Sequence, residues 1–349
     1  MGPLGDLGGL RLKERVVVTG ATGFLGRILC DSLVADGYDV IGTDIRPPTG
    51  KTEWQYLHLD VCDPAAVRQA VAGASIVVNN AALVPVTRST LEQYRSVNVG
   101  GTNNVITAAR DLGTYVLHIS STALYGVPSE LPIRIDSPME PVCAYGRSKV
   151  EAEYLVSEAR EAGLIIGNLR PRTLIGTGRL GLLDVIFPRI RDGRMVPLFG
   201  RGDNRLQLCD AQDFADAAVR AVRLRVNADL AIGASKFSTV RGDMEEVVRR
   251  TGSSSRVVAV PVPLIHAVVR PLDLVGRSPF TEWHYKTAFV PFYCDIDPAR
   301  RALGWEPRYT NADALERSYR AFLETGGASG GSAHLRPLEG LLARFLRGE

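Results

Sequence analysis

An α/β fold, a doubly wound parallel sheet with a smaller C-terminal lobe, is predicted by three observations. β-branched runs alternate with amphipathic helical stretches through the first half of the chain, the rhythm of a parallel sheet covered on both faces. The first run ends in a glycine-rich turn that opens a helix. The 349 residues are enough for one large α/β unit and a lobe beside it.

The glycine turn comes first. Val16, Val17 and Val18 lead into Thr19-Gly20-Ala21-Thr22-Gly23-Phe24-Leu25-Gly26, after which Phe24, Leu25, Ile28, Leu29, Leu33 and Val34 share one helical face. A turn this tight needs residues without a Cβ, so that backbone N–H groups can approach a pyrophosphate at the helix N-terminus. The spacing is Gly-x-x-Gly-x-x-Gly rather than Gly-x-Gly-x-x-Gly, and its place between strand and helix gives it weight. The second strand, Tyr38 to Thr43, ends at Asp44, 24 residues after Gly20. A dinucleotide fold places an acid there on the adenosine ribose. A carboxylate would repel a 2′-phosphate and so favours NAD over NADP, whereas Arg46 nearby could pair with one.

The remaining elements follow in order. A short strand, Tyr56 to Leu59, leads to Asp60-Val61, and a helix runs from Pro64 to Val71. A fourth strand, Ala74 to Val78, ends in Asn79-Asn80-Ala81-Ala82, small residues that let a flat cofactor lie close. A helix around Tyr94 to Leu112 carries Asn98. A fifth strand, Tyr115 to Ile119, ends in Ser120-Ser121-Thr122-Ala123-Leu124-Tyr125-Gly126. On the helix from Ala144 to Ala159, Tyr145 and Lys149 are four apart and share one face. Past a sixth strand, Ile165 to Leu169, the C-terminal lobe begins. It holds helices at Leu183 to Ile190 and Phe214 to Arg223, a Pro-rich apolar stretch at 256–275, and a last helix from Ala312 to Glu324.

Composition excludes other classes. The net charge is +3 with scattered arginines, which gives no footprint for nucleic acid. No run of about 18 apolar residues suggests a membrane span. Five dispersed cysteines without a CxxC pair indicate neither zinc nor a disulfide framework, and a reduced, cytoplasmic setting is the default expectation. No metal site is expected. His266, within the apolar stretch, reads as a packed histidine.

Taken as an ordered set, these motifs resemble the extended short-chain dehydrogenase/reductase family, in its NAD-dependent nucleotide-sugar epimerase and dehydratase branch. The matching pieces are the Thr19–Gly26 turn, Asp44, Asp60-Val61, Ala81-Ala82, Asn98-Val99-x-Gly101-Thr102, Ser120-Ser121-x-x-x-Tyr125-Gly126, Tyr145-x-x-x-Lys149 and Leu169-Arg170-Pro171, spanning roughly residues 14 to 325. The resemblance implies a Rossmann-type sheet with a substrate-binding lobe. It divides residues 15–325 into a NAD-binding unit (15–173, with segments around 206–235 returning to it) and a substrate lobe (174–325), while composition marks a flexible tail (1–14) and, at 326–349, a Gly/Ser linker followed by an amphipathic tail helix. It implies NAD as cofactor, held by Gly20, Thr22, Gly23, Phe24, Leu25, Gly26, Asp44, Arg46, Asp60, Val61, Ala81, Ala82, Asn98, Ile119, Tyr145, Lys149 and Pro171. It assigns catalysis to Ser121, Tyr145 and Lys149, and substrate contacts to Val84, Ser121, Thr122, Thr173 and Arg205, the last as a diphosphate ligand. It also implies a homodimer built on the Asn98 and Tyr145 helices.

Hydride transfer from a carbinol carbon requires the hydroxyl proton to leave with it. A phenol, with an ordinary pKa of about 10, suits this once a neighbouring cation stabilises its phenolate. Tyr145 is therefore the expected acid and base, Lys149 its electrostatic partner, and Ser121 the donor to the reacting oxygen. Sugar dehydratases of the family carry Asp-Glu where Thr122 and Ala123 stand, and glucuronate decarboxylases carry Glu at Ala123. Epimerisation through a transient ketone, most simply at C4, is therefore the expected reaction on a nucleotide sugar. Thr173 replaces a common Asn and Asn79-Asn80 replaces the usual His-Leu. Both keep open a hydroxysteroid-type dehydrogenase or ketoreductase acting, with NAD or NADP, on a non-nucleotide substrate.

Overall fold

Val16, Val17 and Val18 are wholly buried in β1 (Arg15–Thr19), and the two-residue period of a strand sends them to opposite layers. Val16 and Val18 join a core with α1 (Phe24–Ala35); Val17 joins the core on the opposite face. The computed structural model describes residues 13–85, 89–178, 183–261, 263 and 287–325. Expectations placed on the first twelve residues, on His266 and most of the 256–275 stretch, and on the 326–349 linker and helix lie outside the described residues.

From β1 the chain runs through β2 (Asp39–Asp44), β3 (Gln55–His58), α2 (Pro64–Val71), β4 (Ile76–Asn79) and α3 (Leu91–Tyr94). A π-helical turn (Arg95–Gly100) joins α3 to α4 (Gly101–Leu112), followed by β5 (Tyr115–Ile119), a 3₁₀ turn (Thr122–Tyr125), α5 (Ala144–Glu161) and β6 (Ile166–Pro171). Beyond these lie β7 (Thr173–Ile175), α6 (Leu183–Arg191), β8 (Val196–Phe199), β9 (Leu208–Asp210), α7 (Ala211–Leu224), β10 (Asp229–Ile232), α8 (Val240–Arg250), β11 (Val257–Val260), α9 (Asp297–Leu303) and α10 (Asn311–Glu324).

Seven strands form one sheet in the order β10-β6-β5-β4-β1-β2-β3, and every pairing is parallel. The order reverses between β1 and β4, so the crevice beyond their carboxyl ends is the place where such sheets bind ligands. One face packs on α1, α7 and α9 with Phe214 and Trp305; the other packs on α2, α4 and α5. A third core, around Phe187, Tyr319 and Phe322, unites α6, β8, α8 and α10 into the lobe. α7 and β10 belong to the sheet, although they follow lobe segments in the chain. The helix before β5 starts earlier than its apolar spacing predicts, because Thr90 caps it by accepting from the Gln93 N–H, and the π turn then inserts at Arg95–Gly100.

Candidate active site

The carboxyl ends of β1, β2, β4, β5 and β6 open into one cleft of about 570 Å³. At its centre is the glycine turn. A Cβ on Gly26 would stand 2.0 Å from the Gly20 carbonyl oxygen, and one on Gly20 would stand 2.8 Å from Ala81 Cα. No larger residue fits either place, since the turn, the first turn of α1 and the end of β4 share the same space. Gly20 also has φ of +68°, a region glycine enters without strain. The turn is fastened to β4: the Thr19 hydroxyl accepts from the N–H groups of Asn80 and Ala81, both at 3.0 Å, and the Asn80 amide donates to the carbonyls of Thr19 and Gly20.

α1 begins at Gly23 with no side-chain cap and no acidic residue in its first turn, so its positive pole is left for an anion. Asp44 closes this end of the cleft. Its carboxylate accepts from the N–H groups of Thr22 and Arg46, both at 3.2 Å, which fixes an acceptor where a ribose hydroxyl would donate. Gly20, Gly23, Phe24, Leu25, Gly26, Asp44, Arg46, Asp60, Val61, Ala81, Ala82, Ile119, Tyr145, Lys149 and Pro171 all line the cleft, as do Val84, Ser121, Thr122 and Thr173. Thr22 contributes through its N–H behind the lining. Asn98 lies beneath it, donating to the Leu83 carbonyl and the Ser148 hydroxyl and accepting from the Leu83 N–H at 2.8 Å. Asn98 thus shapes the loop after β4 from below.

Tyr145 and Ser121 are brought together by two helical ends. Ser121 caps the 3₁₀ turn, its Oγ accepting from Ala123 N–H at 3.2 Å, which orients the hydroxyl and leaves its proton to donate. α5 packs end-on against the same turn at Gly146, where a Cβ would stand 2.8 Å from the Ala123 carbonyl oxygen. Tyr145, one residue away, is buried and lies edge-on to Tyr94 with centroids 6.0 Å apart. Lys149, on the next turn of α5, donates from Nζ to the Ile119 carbonyl at 2.9 Å.

Burial pushes the Lys149 ammonium from 10.5 down to about 8, against the pull of Glu153. Below pH 8 the folded and unfolded chains are both protonated, and the folded one bears the full cost of a desolvated cation. Between about 8 and 10.5 only the unfolded chain keeps the proton, so stability rises with pH through that window. Relative to Lys149→Met, the ligand-free protein is expected to gain about 3 kcal/mol across it. Urea unfolding of both proteins at either end of the window measures this, and parallel pH dependences would contradict it.

Arg205 stands apart from the cleft. Its guanidinium lies over a pair of packed rings, 4.8 Å from the centroid of Phe237 and 4.9 Å from that of Tyr293, whose own centroids are 5.4 Å apart. Sequence reasoning passed over Arg172, which does line the cleft. The signal was there: a charged residue directly after Pro171, at the carboxyl end of a buried strand. Asn80, Cys62 and Leu83 also line the cleft, and only their neighbourhood to Ala81 and Asp60 could have announced them.

Comparison with known proteins agrees with this geometry. Residues 16–233 match the model of the NAD dependent epimerase/dehydratase family. The chain belongs to that family. A fold and cleft of this kind, with a glycine turn too crowded for a Cβ and an uncapped helix above it, fit the NAD on which the family depends. As a member of the NAD dependent epimerase/dehydratase family, the chain has curated relatives over nearly its whole length. It is 30% identical to the uncharacterised protein y4nG of Sinorhizobium fredii over 96% of this chain and 86% of that protein. It is 28% identical to a 2-alkyl-3-oxoalkanoate reductase of Stenotrophomonas maltophilia over 87% of this chain and 98% of that protein. Among solved structures, a UDP-glucose-4-epimerase from Stenotrophomonas maltophila, crystallised with NAD, superposes with a TM-score of 0.74 at 20% identity, covering 90% of this chain and 100% of that one. Among the described residues no helix is long and apolar enough to cross a membrane.

Proposed function

We propose that this family member epimerises a nucleotide sugar, at C4, through a transient ketone. The sheet half (15–173) holds the cofactor and the 174–325 half closes over the sugar. Bound NAD supplies a hydride acceptor that can give the same hydride back. The chain handles the proton and the oxygen. Ser121 donates to the reacting oxygen, Tyr145 takes the hydroxyl proton as the ketone forms and returns it afterwards, and the Lys149 cation stabilises the phenolate in between.

The observation that carries this reading is the lining beside Ser121 and Tyr145. Thr122 and Ala123 follow Ser121, and the Thr122 hydroxyl is already engaged, donating to the Pro171 carbonyl at 3.0 Å. Among the described residues the cleft's carboxylates are Asp44 and Asp60, which follow β2 and β3, four or more strands away from β6. Elimination of water needs an acid at the sugar's far carbon; oxidation and re-reduction need only the Tyr145 set. A homodimer through α4 and α5 goes with this reading, supported by Tyr154, 61% exposed on α5; light scattering on the purified chain tests it. A cytoplasmic setting goes with it too, supported by five cysteines dispersed along the chain without a CxxC pair, four of them buried.

One observation favours a second reading, a dehydrogenase or ketoreductase on a non-nucleotide substrate. Arg205, the residue expected to grip a diphosphate, does not reach the cleft. The two readings separate in one experiment on the purified full chain. Native mass spectrometry reports retained NAD, thermal shift reports UDP, dTDP, GDP and CDP, and absorbance at 340 nm reports net reduction. Retained NAD, a shift with one nucleoside diphosphate and no net change at 340 nm support the epimerase. Stoichiometric reduction without a nucleotide shift overturns it in favour of the dehydrogenase.

A further inference from the structure

Two arginines stand two residues apart at the end of β6, and their surroundings differ sharply. Arg170 is 2% exposed and fully compensated: its guanidinium meets the Glu153 carboxylate at 2.7 Å and Asp229 at 3.3 Å. Arg172 is equally buried, 2% exposed, yet no carboxylate among the described residues pairs with it. Its titratable neighbours are the thiols of Cys294 and Cys209. Burial raises both thiols, Cys294 to about 11, so neither offers a negative charge at neutral pH.

The Arg172 guanidinium is nonetheless held firmly. Nη1 donates to the Thr122 hydroxyl at 2.9 Å, and the guanidinium carbon lies 4.0 Å above the Phe292 ring. Its stem passes over Gly233, where a Cβ would stand 3.0 Å from Arg172 Cγ. Nε has no partner. Burial lowers the guanidinium only to about 10, so the cation persists at neutral pH. An ion taken out of water without a counter-ion is strongly disfavoured. Arg170, buried to the same degree, finds its carboxylates in its own chain. Arg172 instead lines the cleft beside Ser121.

We propose that Arg172 binds a carboxylate of the substrate, carried on the carbon next to the one that is oxidised. The position follows from the hydrogen-bond chain: Arg172 bonds to Thr122, and Thr122 adjoins Ser121, which holds the reacting oxygen. Arg172 and Ser121 line the same cleft, so one small substrate can present an anion to the first and its reacting hydroxyl to the second. The substrate class is a 3-hydroxy acid, either the uronic acid of a sugar nucleotide or a free 3-hydroxyalkanoate. This rests on the reading that Ser121 and Tyr145 handle the reacting hydroxyl, and it leaves the handle on the rest of the substrate to be decided by the probes.

The test uses the NAD-loaded full chain and two matched pairs of probes: UDP-glucuronate with UDP-glucose, and 3-hydroxyoctanoate with its methyl ester. Calorimetry on wild type is expected to show the acid binding about 10- to 100-fold more tightly than its neutral partner in one pair. In Arg172→Met that ratio falls to near one, and in Arg172→Lys, a point charge without the planar fork, to an intermediate value. The Tm of ligand-free Arg172→Met is expected to equal or exceed that of wild type, since an uncompensated buried cation is removed. A ratio near one in wild type for both pairs, no binding of any probe, or a ratio that survives in Arg172→Met overturns the proposal. So does a Tm lowered in Arg172→Met, which marks a structural arginine. Preference within the hydroxyalkanoate pair, with both UDP probes silent, keeps Arg172 in this role and removes the nucleotide sugar. Equal binding of the two UDP probes, with no preference in the hydroxyalkanoate pair, does the reverse.

Discussion

Tyr145→Phe is expected to lower turnover by about 10³-fold while NAD retention and thermal stability stay near wild type. The ring is buried and edge-on to Tyr94, and phenylalanine keeps that contact and the volume, so no cavity opens. What goes is the group that carries the proton, and removing a positioned general acid–base lowers rates by about 10² to 10⁴. Ser121→Ala should fall short of that loss, since Tyr145 still moves the proton when one donor to the oxygen is gone. The double variant should be little worse than Tyr145→Phe alone, because both residues serve one step. Single-turnover measurements with saturating substrate decide it. Turnover unchanged in Tyr145→Phe would make the chain a cofactor-binding protein whose chemistry, if any, lies elsewhere.

The parts of this molecule that could be read in advance are those where local chemistry permits few residue types. The Gly20–Gly26 turn is one: backbone atoms of three segments occupy the space of any Cβ, so glycine leaves a visible trace. Asp44, Ser121, Tyr145 and Lys149 are others, each placed by the end of a strand or by four-residue spacing on a helix. Arg205 and Arg172 show where reading fails. Arg172 follows the end of a buried strand and Arg205 does not, but nothing local says what either guanidinium packs against. One lies over the packed pair Phe237 and Tyr293, the other over Phe292, and the residues that decide this are 32 to 120 positions away in the chain. Long-range packing, not spacing, selects which arginine faces the cleft. The π turn at Arg95–Gly100 was likewise invisible, since its apolar spacing continues that of the helices on either side.

The second large effect is expected at Glu153. Glu153→Gln should lower the stability of the protein by about 3 to 5 kcal/mol, more than any surface ion pair could contribute. Glu153 and Arg170 face each other with side chains 4% and 2% exposed, in a fork of Nε and Nη2 at 2.9 and 2.7 Å. Asn168 donates to the same carboxylate at 2.7 Å. Burial alone would raise the Glu153 carboxyl, but the Arg170 guanidinium and these donors more than offset it and hold it below its ordinary value. Its contribution is thus present at neutral pH and lost as pH falls through the carboxylate range. In the glutamine variant Arg170 keeps Asp229, at 3.3 Å and 23% exposed, which only partly replaces a buried bidentate partner. The same change reaches the site, since Glu153 is one turn beyond Lys149 on α5 and its charge raises the Lys149 ammonium. Without it, Lys149 loses its proton below about 8. The alkaline limb of the activity profile should therefore move to lower pH, together with a lower urea midpoint. A midpoint that falls while the pH profile stays in place would confine Glu153 to the core and separate Lys149 from it electrostatically.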